Sequence, residues 1–170
     1  MKQDTRKRAT VAVVLGVGFL LLVGTALATP PFGILSAPVQ ARGTIDPTDG
    51  PNIVVNSKSG VHIKALGATN IVTQQIRLAP GGSTGWHSHP GPVLVTVKSG
   101  SIQLFYASDT ACQGIVYQAG DSFIDRGDEV VHIARASPFD GAELWATYFV
   151  PGADPTAPFR LDAPDPGTGC

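Results

Sequence analysis

Charge is scarce in this chain: only 15% of its 170 residues are Asp, Glu, Lys or Arg. That is too little for a coiled coil or an acidic tail. No window after residue 30 has the period of an amphipathic helix, and no segment repeats at 20–50 residues. Walker A and dinucleotide-binding fingerprints are missing, and so is any cysteine cluster of the zinc type. Gly-x-Ser-x-Gly is absent too, so Ser83 and Ser88 belong to no legible nucleophile triad. A basic stripe is also lacking. Without residues 1–28 the 12 basic and 13 acidic residues fall to 8 and 12, a net charge of −4. Nucleic acid is therefore not an expected partner.

What is present is apolar and turn-rich. With 43% hydrophobic residues, 20 Gly and 14 Pro, the composition fits one folded domain of short elements rather than a disordered chain. The N-terminus stands apart. Lys2, Arg6, Lys7 and Arg8 form a basic head, Ala9 to Thr29 is uncharged, and Ala26-Leu27-Ala28 supplies small residues. This is the layout of a secretory signal peptide. The alternative is an uncleaved anchor helix, because an uncharged run of this length meets the need for about 20 residues to cross a bilayer. Either way the remainder is expected outside the cytoplasm, secreted or tethered, with the membrane touched only by this segment. The expected organisation is a signal or anchor helix at 1–28, a linker at 29–37, a β domain at 38–151 and a Pro-, Gly- and Asp-rich tail at 152–170.

Export makes a disulfide between the only two cysteines plausible. Cys112 lies in a polar loop and Cys170 closes a tail that cannot pack on its own, so a bridge would staple the tail to the domain. Two free thiols are the alternative.

Strands are expected near 38–45, 52–56, 61–66, 70–79, 93–98, 101–107, 114–118, 121–125, 130–136 and 142–150, from period-two patterns broken by Gly, Pro, Asn and Asp. Ser99-Gly100 reads as a tight hairpin turn between two of them. Trp145 and Phe149 share a strand face and read as core. Two facing sheets or a closed barrel would bury so many apolar faces without leaving edges.

The segment Gly81-Gly-Ser-Thr-Gly-Trp-His-Ser-His-Pro-Gly-Pro-Val93 carries the chemistry. His87 and His89, one residue apart on an extended segment, point to the same side. His132 follows 43 positions after His89 near the start of another strand, with the small Ala134 and Ala136 on its own face. Three imidazoles from two distant segments can form a metal site. Trp86 is expected to exclude water from it, and Pro90 and Pro92 to fix the chain beside it. His62 alternates with Val61 and Ile63 and reads as an ordinary strand residue. Asp121, Asp125, Asp128 and Glu129 read as a solvated turn, the sharper alternative being a carboxylate that orients His132.

These residues resemble the cupin superfamily. Gly81, His87, His89 and Gly100 fall at the spacings of its first motif. Gly120 and His132 fit its second, with one extra residue between them. The resemblance covers roughly residues 70–150. It implies an all-β, single-domain, cupin-type jelly-roll barrel with His87, His89 and His132 as ligands to an internal metal. Three departures stand out: the motif's Glu falls at Val93 or Leu94, its Pro at Arg126 and its late Asn at Ala136. Without the Glu, three neutral imidazoles would leave a divalent ion with its full charge, drawing in anions. Gln74, Gln103 or Gln118 could replace the missing oxygen.

The expected cofactor is thus a divalent ion, Fe, Mn, Ni, Cu or Zn, and the expected partner a small molecule. The enzyme reading is a metal-dependent, dioxygenase-like activity, with no general acid or base legible. The alternatives are a non-catalytic module for a sugar or carboxylate, or a barrel whose site has degenerated. Imidazole ligands predict metal release below about pH 6. Pairing of barrels into a homodimer is open.

Overall fold

A computed structural model describes residues 27–45, 52–67 and 69–170 of the chain. The N-terminal signal or anchor helix expected at 1–28 lies almost wholly outside the described residues. Among those residues there is no helix. Twelve strands follow one another: β1 (Phe32–Ser36), β2 (Val39–Ile45), β3 (Asn52–Asn56), β4 (His62–Leu66), β5 (Thr69–Ser83), β6 (His87–Ser88), β7 (Val93–Tyr106), β8 (Ile115–Gln118), β9 (Ser122–Asp125), β10 (His132–Ala136), β11 (Ala142–Pro151) and β12 (Leu161–Asp162).

Two long strands make the barrel. The first half of β7 pairs with β11 and β9, and its second half with β10 and β8. Strand β5 pairs with β11 along ten residues, and its far end, Ser83, meets Arg135 of β10. The ring β5–β11–β7–β10 therefore closes on itself, and β5 and β7 each pass from one sheet into the other. Closure removes the open edges that a sheet of this size would present. The result is an all-β jelly-roll barrel.

This bending corrects one expectation. Ser99-Gly100 is not a hairpin turn, because β7 runs straight through it. Gly100 has φ +69°, and Glu143 faces Ser99 while Leu144 faces Val97. The left-handed glycine makes a bulge that turns one strand around the barrel corner. A Cβ there would meet Gly141 O at 2.1 Å, so no other residue fits without movement.

The interior follows from alternation. Val93, Val95 and Val97, then Ile102 and Leu104, point inward from β7. Leu144, Ala146, Tyr148 and Val150 do so from β11. Trp145 and Phe149 were expected in this core, but they lie on the outer face of β11. Trp145 is exposed and its Nε1 donates to Glu143 Oε1 (3.3 Å). The inward register of Leu144 and Ala146 forces both aromatic rings out.

A second buried cluster lies outside the barrel. Trp86, Phe105, Ile133 and Ala163 pack there with Cys112 and Cys170. The tail covers them. Its strand β12 pairs with β6, Ala163 N donates to Trp86 O (3.0 Å), and Cys112–Cys170 is disulfide-bonded. Trp86 thus excludes water from the back of the ligand strand and does not line the His chamber. Residues 29–37, read as a linker, contribute β1, which pairs with β5. The hairpin of β3 and β4 forms a separate two-stranded sheet, where His62 is exposed and hydrogen-bonded to Asn56 Oδ1 (2.8 Å).

Candidate metal centre

His87 and His132 are a cross-strand pair of β6 and β10. Side chains directly opposite on an antiparallel pair stand close together, and these ring centroids are 4.4 Å apart. His89, one period further on, points to the same side, 4.9 Å from His87 and 5.2 Å from His132. All three are buried. One ring nitrogen from each lies within 4.8 Å of the others. Gly85 sets the approach to the pair: at φ +68° it packs against Thr29 O, which a Cβ would meet at 2.4 Å.

The hydrogen bonds decide which nitrogens converge. Nδ1 of His87 lies 2.8 Å from Gly85 O, Nδ1 of His89 2.7 Å from Phe159 O, and Nδ1 of His132 3.0 Å from Val130 O. A carbonyl only accepts, so each Nδ1 carries a proton, and Nε2 is the ring nitrogen left for a metal. Burial, reinforced by His132, Arg160 and His89, pushes His87 well below its usual pKa. Burial also lowers His89 to about 4, against the opposing pull of its Phe159 hydrogen bond. Both rings are therefore neutral at pH 7, the form that binds a metal ion. Protons compete with an ion less strongly here than the pH 6 expected for ordinary imidazoles.

Here the motif spacings and the geometry meet. Gly81 lies near the end of β5, His87 on β6 with His89 just past it, Gly100 at the bend of β7, Gly120 in the turn between β8 and β9 and His132 at the start of β10, and the three imidazoles gather inside a closed jelly roll. This is the jelly-roll barrel that the resemblance to cupins implies. No family model matches the chain, and no curated protein matches it. Several solved structures are similar. Peruvianin-I, a cysteine peptidase from Thevetia peruviana latex, aligns at 23% identity over 55% of this chain and 56% of its own, with a TM-score of 0.43. An RmlC-like cupin from Shewanella frigidimarina aligns at 21% over 61% and 86%, with a TM-score of 0.40. A cupin-like protein from Thermotoga maritima aligns at 21% over 57% and 65%, with a TM-score of 0.44. In the first and third, the chain spans less than two thirds of the relative's length. All three TM-scores are below 0.5, so the fold rests on the strand order and closure described above.

Among the described residues no carboxylate stands where the motif's Glu would fall. Val93 is buried in the wall of the His chamber and Leu94 points outward, so neither takes the Glu's place. The three glutamines do not replace it. Gln74 accepts from Tyr148 OH (2.8 Å), Gln103 donates to Gln113 O (2.8 Å), and Gln118 is exposed. Instead a carboxylate stands behind His132. Asp125, expected in a solvated turn, is buried, with Oδ2 3.0 Å from His132 Nδ1. The N–H of that ring is directed to Val130 O, and Asp125 Oδ2 has no hydrogen bond of its own, so its contact is electrostatic. Burial raises the pKa of Asp125, but the His132 contact and the Gly127 N–H (2.7 Å) outweigh it and keep the carboxyl ionised. Asp121, Asp128 and Glu129 are exposed, as expected.

Two spaces adjoin the trio. A chamber of about 40 Å³ lies among His87, His89, His132 and the inward Val, Leu and Ala side chains, Ala134 among them. An outer cavity of about 490 Å³ reaches His87 from the other side, roofed by Thr156–Arg160 of the tail. Sequence reasoning missed this roof. Phe159 supplies the acceptor for His89 through its backbone, and its ring packs on Tyr148 at 4.7 Å. Arg160 donates to Thr84 O (2.8 Å). Burial raises the Tyr148 hydroxyl far above its usual pKa, so it remains a phenol.

Proposed function

We propose that the protein is an extracytoplasmic metal-binding cupin. In this reading His87, His89 and His132 hold one divalent first-row ion through Nε2, and a small molecule reacts at the ion's remaining positions. The observation that carries it is the shared anchoring: three backbone carbonyls hold three Nδ1–H groups, and the three rings gather with one nitrogen of each within 4.8 Å of the others. The donor set fits Fe, Mn, Ni, Cu or Zn. A bound ion supplies Lewis-acid polarisation and, for the redox-active members, oxygen chemistry. The chain's own part is to fix the rings, keep them neutral, exclude water through the apolar chamber and place an ionised Asp125 behind His132. That carboxylate offsets part of the ion's charge without occupying a coordination position. The Cys112–Cys170 disulfide supports a location outside the reducing cytoplasm.

A second reading, a binder that does not convert its ligand, is favoured by one observation. Among the described residues, the acid–base groups in the wall of the outer cavity are His87, the arginines and Tyr148, and burial holds Tyr148 as a phenol.

Elemental analysis of the purified protein tests the first reading. One equivalent of metal is expected, lost in His87→Ala and in His132→Ala with the barrel still folded. Metal retained in both variants, or none in the wild type after loading, sinks the metal centre. Oxygen uptake over small catechols, thiols and keto acids then separates an oxygenase from a binder.

A further inference from the structure

The outer cavity combines two kinds of wall. Ile34, Ile76, Pro158 and Phe159 supply apolar surface, Arg42 and Arg160 also line it, and among the described residues no carboxylate does. Both arginines keep donors free. Arg42 uses one terminal amino group, on Ala157 O (2.8 Å) and Asp154 O (3.5 Å), and its buried Nε has no hydrogen-bond partner among the described residues. Arg160 is fixed by two bonds, Nε to Asp162 Oδ1 (2.7 Å) and one terminal amino group to Thr84 O (2.8 Å). No described residue accepts from its other terminal amino group. Asp162 pairs with His87 across β12 and β6, so the segment carrying Arg160 is registered against the ligand strand. Its charge is near enough to act on His87, His89 and Tyr148.

We propose that Arg160 anchors the anionic head of the ligand. The outer cavity would then take a small organic monocarboxylate, its head between Arg160 and His87 and its apolar body on Ile34, Ile76 and Phe159. The inference rests on the metal reading for any chemistry that follows, but recognition itself needs only the guanidinium and the apolar wall. A guanidinium held in place with one terminal amino group unpaired can donate a charge-assisted hydrogen bond to a carboxylate oxygen. The mostly apolar wall offers a sugar few partners, since a polyol would leave hydroxyls unpaired. Asp162 already takes one edge of Arg160, which favours a single negative charge over a dianion.

Calorimetric titration of the full-length protein, metal-free and zinc-loaded, with benzoate, hexanoate and the neutral benzyl alcohol tests this. Saturable binding of at least one carboxylate is expected, weakened about tenfold or more in Arg160→Gln. Benzyl alcohol should bind more weakly than benzoate and be indifferent to that change. Asp162→Asn, which removes the competing carboxylate at the rim, should strengthen carboxylate binding, and this keeps the test open if Arg160→Gln does not fold. The proposal is overturned by carboxylate affinity that is unchanged in a folded Arg160→Gln or weakened in Asp162→Asn. It is also overturned by benzyl alcohol binding as tightly as benzoate, or by no binding of either carboxylate. Arg160-dependent binding in a protein that takes up no zinc would sink the metal reading and leave this one standing.

Discussion

The two walls of the His site are held by different means. The barrel wall places His87 and His132 through strand pairing, with the packed interior of β7 and β11 in front and the Trp86 cluster behind. The tail wall brings Phe159 and Arg160 on a segment whose own ladder is the two-residue β12. A run rich in Pro, Gly and Asp has little apolar surface of its own, so a covalent staple and a few backbone bonds hold it. The barrel positions the three imidazoles, whereas the orientation of His89 and the place of Arg160 depend on a segment that the barrel does not fix by itself.

Cutting the staple tests that division most severely. Cys112 and Cys170 are 58 residues apart, and in the chain-entropy view a loop of that size contributes about 4 kcal/mol. Cys112→Ser with Cys170→Ser should lower stability by about that amount in denaturant titration and weaken metal binding through His89. The crossed strands should persist in circular dichroism. Unchanged stability would mean that β12 alone secures the tail.

Acid should strain both walls through the same rings. In the metal-free protein His89 titrates at about 4 when folded and near 6.5 when unfolded. The unfolded chain therefore takes up the proton first as pH falls, and stability is lost between about pH 6.5 and 4. The loss from His89 is about 3 kcal/mol, and His87 shifts in the same direction. His132, Arg160 and Asp125 face these rings. The Asp125 pKa is lowered, so its own contribution disappears only below the ordinary carboxylate range. Melting curves from pH 7.5 to 4 should show the decline, and His89→Gln should flatten it.

Asp125→Asn sharpens the comparison on the barrel side alone. Removing the charge 3.0 Å behind His132 should reduce metal affinity roughly 10–100-fold, with little change at His89. Equal affinity in a metal-competition assay would make Asp125 a loop-shaping residue, through its Gly127 hydrogen bond, and nothing more.

How much of this the sequence disclosed follows the same boundary. Period-two patterns located the long strands because each buries one face, and the His spacing predicted the trio because extended segments repeat every second residue. Gly100 was misread because a positive φ serves a hairpin turn and a bulge equally well. Asp125 was hidden among four acidic residues, of which it alone is buried. Phe159 could not have been found by side-chain chemistry at all, since it acts on His89 through a backbone oxygen. Arg160 had no motif around it, and only the fold of the tail brings it to the cavity.

The staple also sets an order of maturation. His89 is made 70 residues before the carbonyl that orients it, so a growing chain exposes an unaligned imidazole until the segment carrying Phe159 docks. Oxidation of Cys112 and Cys170 then ties that segment down. A compartment that keeps thiols reduced would yield a barrel with its ligands present but one of them unsteadied.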